Sequence, residues 1–196
     1  MSTAANGDPT AAMPGAASAR PYDSTTVALH WVTALAVAAL WVLGQTIDCF
    51  PRGSARTGAR TIHILLGAAL VLVLIARVLW RIRWGRRLPL ANSGAMGQAA
   101  RLVHWGLYLI VAATLALGVA NAWIRGDQLL GLFRIPSIAP GDKALRVLVE
   151  DWHGTAANTL LIVAGLHALA GLIHHFYLRD GVLARMSLSR RSPGER

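Results

Sequence analysis

Four apolar blocks, separated by polar and basic stretches, set the pattern of this chain: about 25–47, 60–81, 99–122 and 150–177. Each reaches the roughly 20 residues that an α-helix needs to cross a bilayer. The blocks do not alternate, and isolated strands would leave backbone polar groups unpaired in lipid, so strands are excluded. The pattern predicts an all-α integral membrane protein, a four-helix bundle. Polar Asp23-Ser24-Thr25 precede the first block, and Asp48 and Pro51 follow it. Residues 1–21, rich in Ala, Gly, Pro and Ser, read as a disordered tail. Residues 22–188 form the membrane domain and 189–196 a basic C-terminal tail. The 123–149 connection carries Pro136, Pro140 and several glycines, and reads as irregular with room for one short helix.

Composition agrees. Hydrophobic residues make up 55% of the chain, charged ones 14%, and the mean hydropathy is +0.48. A net charge of +10 would suggest nucleic acid in a soluble chain, but here the basic residues flank the apolar blocks. Their distribution reports topology instead. Four crossings put both termini on one side, with Arg20, Arg77, Arg81, Arg83, Arg86, Arg87, Arg101, Arg179, Arg185, Arg190, Arg191 and Arg196. The other side mixes Arg52, Arg56, Arg60, Arg125, Arg134, Lys143 and Arg146 with Asp48, Asp127, Asp142, Glu150 and Asp151. The positive-inside rule makes both termini cytoplasmic. Trp31, Trp80, Trp84, Trp105, Trp123 and Trp152 fall near block ends, as an interfacial aromatic belt does. The single cysteine, Cys49, rules out an internal disulfide and a Cys-rich metal site. There is no CxxCH for covalent haem attachment, and no nucleotide loop, GxSxG or HExxH.

The chemistry lies in the seven histidines, all within or at the ends of the apolar blocks. Ionisable groups at membrane depth are costly and point to function. In the fourth block His153 and His167 lie on nearly the same helical stripe, about 21 Å apart. His153 is level with His63, and His167 roughly level with His30. Two cross-helix pairs, one above the other, suit two planar cofactors held from both faces, and haem iron accepts two axial imidazoles in this way. The residues one turn after these four are small: Ala34, Gly67, Ala157 and Gly171. His104 is followed by Tyr108, His174 by Leu178 and His175 by Arg179. Rival readings are a compact metal site, which the pair separation disfavours, and a proton relay, which lacks intramembrane Asp or Glu. Arg77, inside the end of the second block, either snorkels or pairs with a haem propionate.

The stretches LHWVTALAV at 29–37, FPRGSARTGARTIHILLG at 50–67, WHGTAANTLLIVAGLHALAGLIHHFYLRD at 152–180 and LARM at 183–186 together resemble the bacterial cytochrome b561 family, of the superoxide-oxidase type. The resemblance implies two b-type haems, His30 pairing with His167 on the cytoplasmic side and His63 with His153 on the periplasmic side. It further implies oxidation of superoxide at the periplasmic side and reduction of ubiquinone near the cytoplasmic side, in the bacterial inner membrane. Arg52, Arg56 and Arg60, in the outer loop beside His63, would then raise the local concentration of a small anion. Arg87, Arg101, His104 and His174 would serve the quinone. Membrane lipid, ubiquinone and superoxide are the implied partners, with no nucleic acid. The alternative is a cytochrome b anchor subunit passing electrons between a partner dehydrogenase or hydrogenase and quinone.

Overall fold

The computed structural model describes residues 22–86, 88 and 94–187. Four helices dominate it: α1 (Ser24–Thr46), α2 (Ser54–Arg83), α3 (Gly94–Arg125) and α4 (Lys143–Ile173). α1 ends in a 3-10 turn at Ile47–Cys49, and α4 runs on through a π-helical turn at His174–Leu178. A second 3-10 turn, Leu183–Met186, lies close to the end of the described chain. Between α3 and α4, β1 (Gln128–Leu129) pairs antiparallel with β2 (Phe133–Arg134). Both tails expected from the sequence, and Arg87, lie outside the described residues.

All four helices are long and apolar enough to cross a membrane, so the all-α four-helix expectation holds. Their ends differ from the apolar blocks. α2 begins at Ser54 rather than near 60, so Arg56 and Arg60 are helical and only Arg52 is in the loop. α4 begins at Lys143, capped by the Asp142 carboxylate, which accepts from the Leu145 N–H at 2.8 Å. The 123–149 segment therefore holds a β-hairpin and the first turns of α4. The reason is physical: hydropathy marks where a helix enters lipid, while its backbone hydrogen bonds continue into water wherever a cap and good helix formers permit.

α3 packs most extensively on α4, and α1 on α2, while α2–α3 and α1–α4 meet along narrower seams. The bundle is thus two helical hairpins side by side. Tyr22 N–H donates to the Arg185 carbonyl at 3.0 Å, and the Trp31 indole to the Met186 carbonyl at 3.1 Å. These bonds bring both described ends to one face, the termini face. The β-hairpin occupies the opposite, hairpin face. The buried set is small (Val27, Leu70, Val111 and Leu160 among it), whereas Leu35, Leu72, Leu109 and Ile162 are exposed along the helices. Lipid is the solvent that suits such a surface.

Asp23 fastens the termini face. Its carboxylate accepts from the Thr26 N–H at 2.9 Å and the Thr26 hydroxyl at 2.7 Å, which caps α1. It also accepts from the Trp80 indole at 2.8 Å and the Arg86 N–H at 3.1 Å, which ties α1 to the end of α2. Burial alone would raise this carboxyl, but the donors outweigh it and hold it at about 2, below the 3.8 of a free aspartate. Its stabilising contribution is therefore complete above about pH 4 and is lost as pH falls towards 2. Asp23→Ala is expected to cost about 1 kcal/mol, the loss of one cap, read as a lower melting temperature in detergent at neutral pH. An unchanged melting temperature would show that the four bonds are incidental.

Candidate functional site

Two pairs of imidazoles meet inside the bundle. Towards the hairpin face, His63 of α2 and His153 of α4 have ring centroids 6.2 Å apart with planes at 84°. Towards the termini face, His30 of α1 and His167 of α4 have centroids 6.4 Å apart with planes at 75°. Two imidazoles bound to one first-row metal ion from opposite sides, each through a nitrogen about 2 Å away, have centroids roughly 6.3 Å apart. Both pairs match that spacing. His104 of α3 lies nearer to His167, at 5.2 Å, too close for the same arrangement. Among the described residues no three His, Cys, Asp or Glu side chains converge as a compact metal site would require. Paired imidazoles suit a cofactor that brings its own equatorial ligands.

The surroundings of the hairpin-face pair repeat. The His153 ring lies against Gly118 of α3, where an added Cβ would meet Cε1 at 3.1 Å. Its Nδ1 is 3.0 Å from the Thr114 carbonyl, one turn earlier on α3. A carbonyl accepts only, so Nδ1 carries the proton and Nε2 is left as the free lone pair a metal needs. The His63 ring lies against Gly44 of α1, where a Cβ would meet Cε1 at 3.4 Å. The Leu40 carbonyl, one turn earlier, lies close to His63. The buried His63 Nδ1 nevertheless lacks a hydrogen-bond partner of good geometry. Each helical hairpin thus seats one imidazole against a carbonyl and the glycine one turn beyond it. A Cβ built at Gly67, one turn after His63, would meet no protein atom within 4 Å, and one at Gly171 would meet only Leu183, at 3.9 Å. Neither glycine is packed against a neighbouring helix.

The termini-face pair has a different neighbourhood. The Arg77 guanidinium of α2 donates to His30 Nδ1 at 3.1 Å and lies 5.3 Å from the centre of the Tyr108 ring. Arg77, His30, His104, His167 and Tyr108 form one cluster. Tyr108 was noted in the sequence only as the large residue following His104. His174 lies beyond this cluster in the π-helical turn, its Nδ1 2.5 Å from an Asp180 carboxylate oxygen. The left-handed Arg179, at φ 51°, turns the chain so that Asp180 can reach back. Asp180 was not singled out from the sequence. Arg101 is exposed on α3, three residues before His104, and makes no hydrogen bond or ion pair among the described residues.

On the hairpin face the three arginines differ. Arg56 pairs with Asp48 at 3.2 Å and donates to the Asp48 and Phe50 carbonyls. Arg60 faces Asp127 at 3.7 Å, within a network in which Arg125 meets Asp127 at 3.5 Å and Glu150 at 3.4 Å. Burial raises the Asp127 carboxyl above the ordinary aspartate range in spite of these arginines. Arg52, exposed and without an ion pair among the described residues, is the uncompensated charge of the three.

Facing imidazole pairs within a four-helix membrane bundle are the ligand arrangement of a membrane-bound b-type cytochrome. The family model for prokaryotic cytochrome b561 matches residues 21–187. The chain is 29% identical over 175 residues to a probable superoxide oxidase CybB of Yersinia pestis, covering 88% of this chain and 98% of that one. It is 29% identical over 175 residues to cytochrome b561 homolog 1 of Escherichia coli, covering 87% and 98%. It is 25% identical over 174 residues to cytochrome b562 of Cereibacter sphaeroides, covering 86% and 96%. The chain belongs to the prokaryotic cytochrome b561 family. It is a multi-pass bacterial membrane protein that transfers electrons by way of b-type haem.

Proposed function

We propose that the protein carries electrons across the inner membrane through two bis-histidine haems, from superoxide on the hairpin side, which is periplasmic, to ubiquinone near the termini side, which is cytoplasmic. His63 and His153 ligate one haem and His30 and His167 the other. The observation that carries this reading is the pair of imidazole separations, 6.2 and 6.4 Å, one towards each face of the bundle. When bound, the two haems supply one-electron carriers stacked across the membrane.

The chain's own residues do the rest. The Thr114 carbonyl fixes the His153 tautomer, and Gly118 and Gly44 leave room for the Cε1 edges of the hairpin-face rings beside the helices. Were His30 to hold the haem iron through Nε2, its proton would sit on Nδ1 and Arg77 would lose its acceptor there. Its guanidinium would then be available to hold a haem propionate. Two superoxide anions yield two molecules of oxygen and two electrons, and with two protons these reduce one quinone to quinol. His104, Arg101 and the His174–Asp180 pair are the groups on the termini face suited to bind a quinone and pass protons; Arg87 completes the set but lies outside the described residues. The superoxide assignment is supported by the name of the Yersinia relative and by the cationic Arg52.

The test is purification with spectra and kinetics. A b-type reduced spectrum and direct reduction of the haems by superoxide, with quinone oxidising them again, are expected. A protein reduced only by a co-purifying dehydrogenase or hydrogenase would be an anchor subunit instead. Pairing within the arginine set makes a sharper prediction. Arg52→Gln is expected to slow the superoxide reaction roughly two- to fivefold at low ionic strength. Asp48→Asn, which unmasks Arg56, is expected to speed it by a similar factor. Both effects should shrink towards nothing near 1 M salt, where the screening length is about 3 Å. Stopped-flow rates that ignore both substitutions would remove these residues from substrate attraction.

A further inference from the structure

The β-hairpin is odd for a water-facing loop. Residues 129–133 read Leu-Leu-Gly-Leu-Phe, and Leu130, Leu132 and Phe133 are 67%, 88% and 59% exposed. Leu132 N–H donates to the Leu129 carbonyl at 3.0 Å, and Leu130 and Gly131 both have positive φ, 55° and 72°. Two successive positive φ values favour residues such as Asn-Gly, because a branched apolar side chain is strained there. Among the described residues nothing packs on Leu130 strongly enough to bury it. A leucine held in that conformation with its side chain outward calls for an apolar medium outside the protein.

The level of the hairpin supplies that medium. The Thr61 hydroxyl, shared with the Thr57 carbonyl at 2.9 Å, reaches the Gln128 carbonyl at 3.2 Å, and Arg60 pairs with Asp127. The strands are thereby fixed beside residues 60 and 61 of α2, where its apolar face begins at Ile62. Trp123 and Trp152, both more than half exposed, lie at the same end of α3 and α4, as residues of an aromatic belt do. Between hairpin and α2 runs an open groove of about 650 Å³, with Ser54, Thr57 and Thr61 on its polar wall and Ile62 and Leu130 on its apolar wall. Its lining passes from polar to apolar along α2 in the direction in which the helix enters the bilayer.

We propose that this hairpin is a membrane-docking element. Its tip, Leu130, Leu132 and Phe133, lies among the acyl chains of the outer leaflet, and the groove behind it seats a phospholipid headgroup. The apolar surface of the tip continues the lipid-facing surface of α2, so bilayer lipid is the occupant that both share. The docking holds the Asp127 network, and with it the outer ends of α2, α3 and α4, at a set depth. It does not depend on how the histidines are used.

The full-length protein in phospholipid vesicles tests this. In a Cys49→Ser background, a bimane probe is attached at Leu132→Cys, Thr57→Cys or, as an aqueous reference, Ala144→Cys, the visible spectrum reporting that each variant is folded. The Leu132 probe should be quenched at least threefold less by iodide than the Ala144 probe, and strongly by lipid spin-labelled near the top of its acyl chains. The Thr57 probe should respond to a headgroup spin label. A Leu132 probe as open to iodide as the Ala144 probe would overturn the proposal. So would one shielded from both quenchers, since a second copy or a protein partner would then cover the tip. A Thr57 probe indifferent to the headgroup label would overturn the groove assignment.

Discussion

On the proposed two-haem assignment, haem content in His153→Ala is expected to fall from two per polypeptide to one, while His104→Ala keeps both. The contrast follows from two distances. The partner of His153 is His63, at 6.2 Å, and no other histidine ring contact is made at that level. His104 is 5.2 Å from His167, too close to share an axial arrangement with it, whereas His30 stands at 6.4 Å. Removing His153 leaves His63 without its facing imidazole. Removing His104 leaves both pairs intact and alters only the neighbourhood of His167. The pyridine haemochrome, divided by protein concentration, measures the content directly. A second readout is stability. A cofactor bound at 1,000 times its dissociation constant adds about 4 kcal/mol to folding by mass action, so His153→Ala should also melt well below the parent. Two haems retained in His153→Ala, or one lost in His104→Ala, would mean that the pairs are wrongly assigned.

The four helices could be read from the chain because lipid imposes one rule on a spanning segment, a long apolar run, and hydropathy measures that rule directly. The histidine pairs could be read in outline because depth follows from position along a helix at 1.5 Å per residue, and His153 and His167 share a stripe. What did not emerge depends on contacts between elements. Arg56 and Arg60 looked like loop charges, because nothing in their own neighbourhood announces that α2 continues past the bilayer; nor does it announce that Asp48 and Asp127 face them. The reach of Asp180 back to His174 depends on a single left-handed residue, Arg179, a type that seldom adopts that conformation. The hairpin was hidden by Pro136 and Pro140, which suggest irregular chain, although the run Leu129-Leu130-Gly131-Leu132 was there to be questioned. The glycines chosen from the sequence were those one turn after a histidine on the same helix. Those that touch the rings are Gly44 and Gly118, on the neighbouring helix of each pair. No signal in the sequence marks them, because the Leu-Gly they share at 43–44 and 117–118 also occurs at Leu66-Gly67 and Leu130-Gly131.

Those two glycines allow a graded prediction. A Cβ at Gly44 would sit 3.4 Å from His63 Cε1, an ordinary contact, so Gly44→Ala is expected to keep both haems with a spectrum close to the parent's. A Cβ at Gly118 would sit 3.1 Å from His153 Cε1, and the ring must give way by a few tenths of an ångström. It has little freedom to do so, because the Thr114 carbonyl holds Nδ1 at 3.0 Å and α3 and α4 form the most extensive helix contact in the bundle. Gly118→Ala should therefore loosen the hairpin-face haem. Gly118→Val, with two further methyl groups against the ring, should cost it altogether, since overpacking of this kind is worth about 1–3 kcal/mol even where neighbours can relax. The expected series is two haems in Gly44→Ala, two with a shifted potential for one of them in Gly118→Ala, and one in Gly118→Val, followed by redox titration of the visible bands. The termini-face haem serves as the internal control, since its potential should not move in any of the three. If Gly118→Val retained both haems at their parental potentials, the imidazole would not lie against α3 in the loaded protein. The carbonyl-and-glycine seat would then be a property of the helices alone.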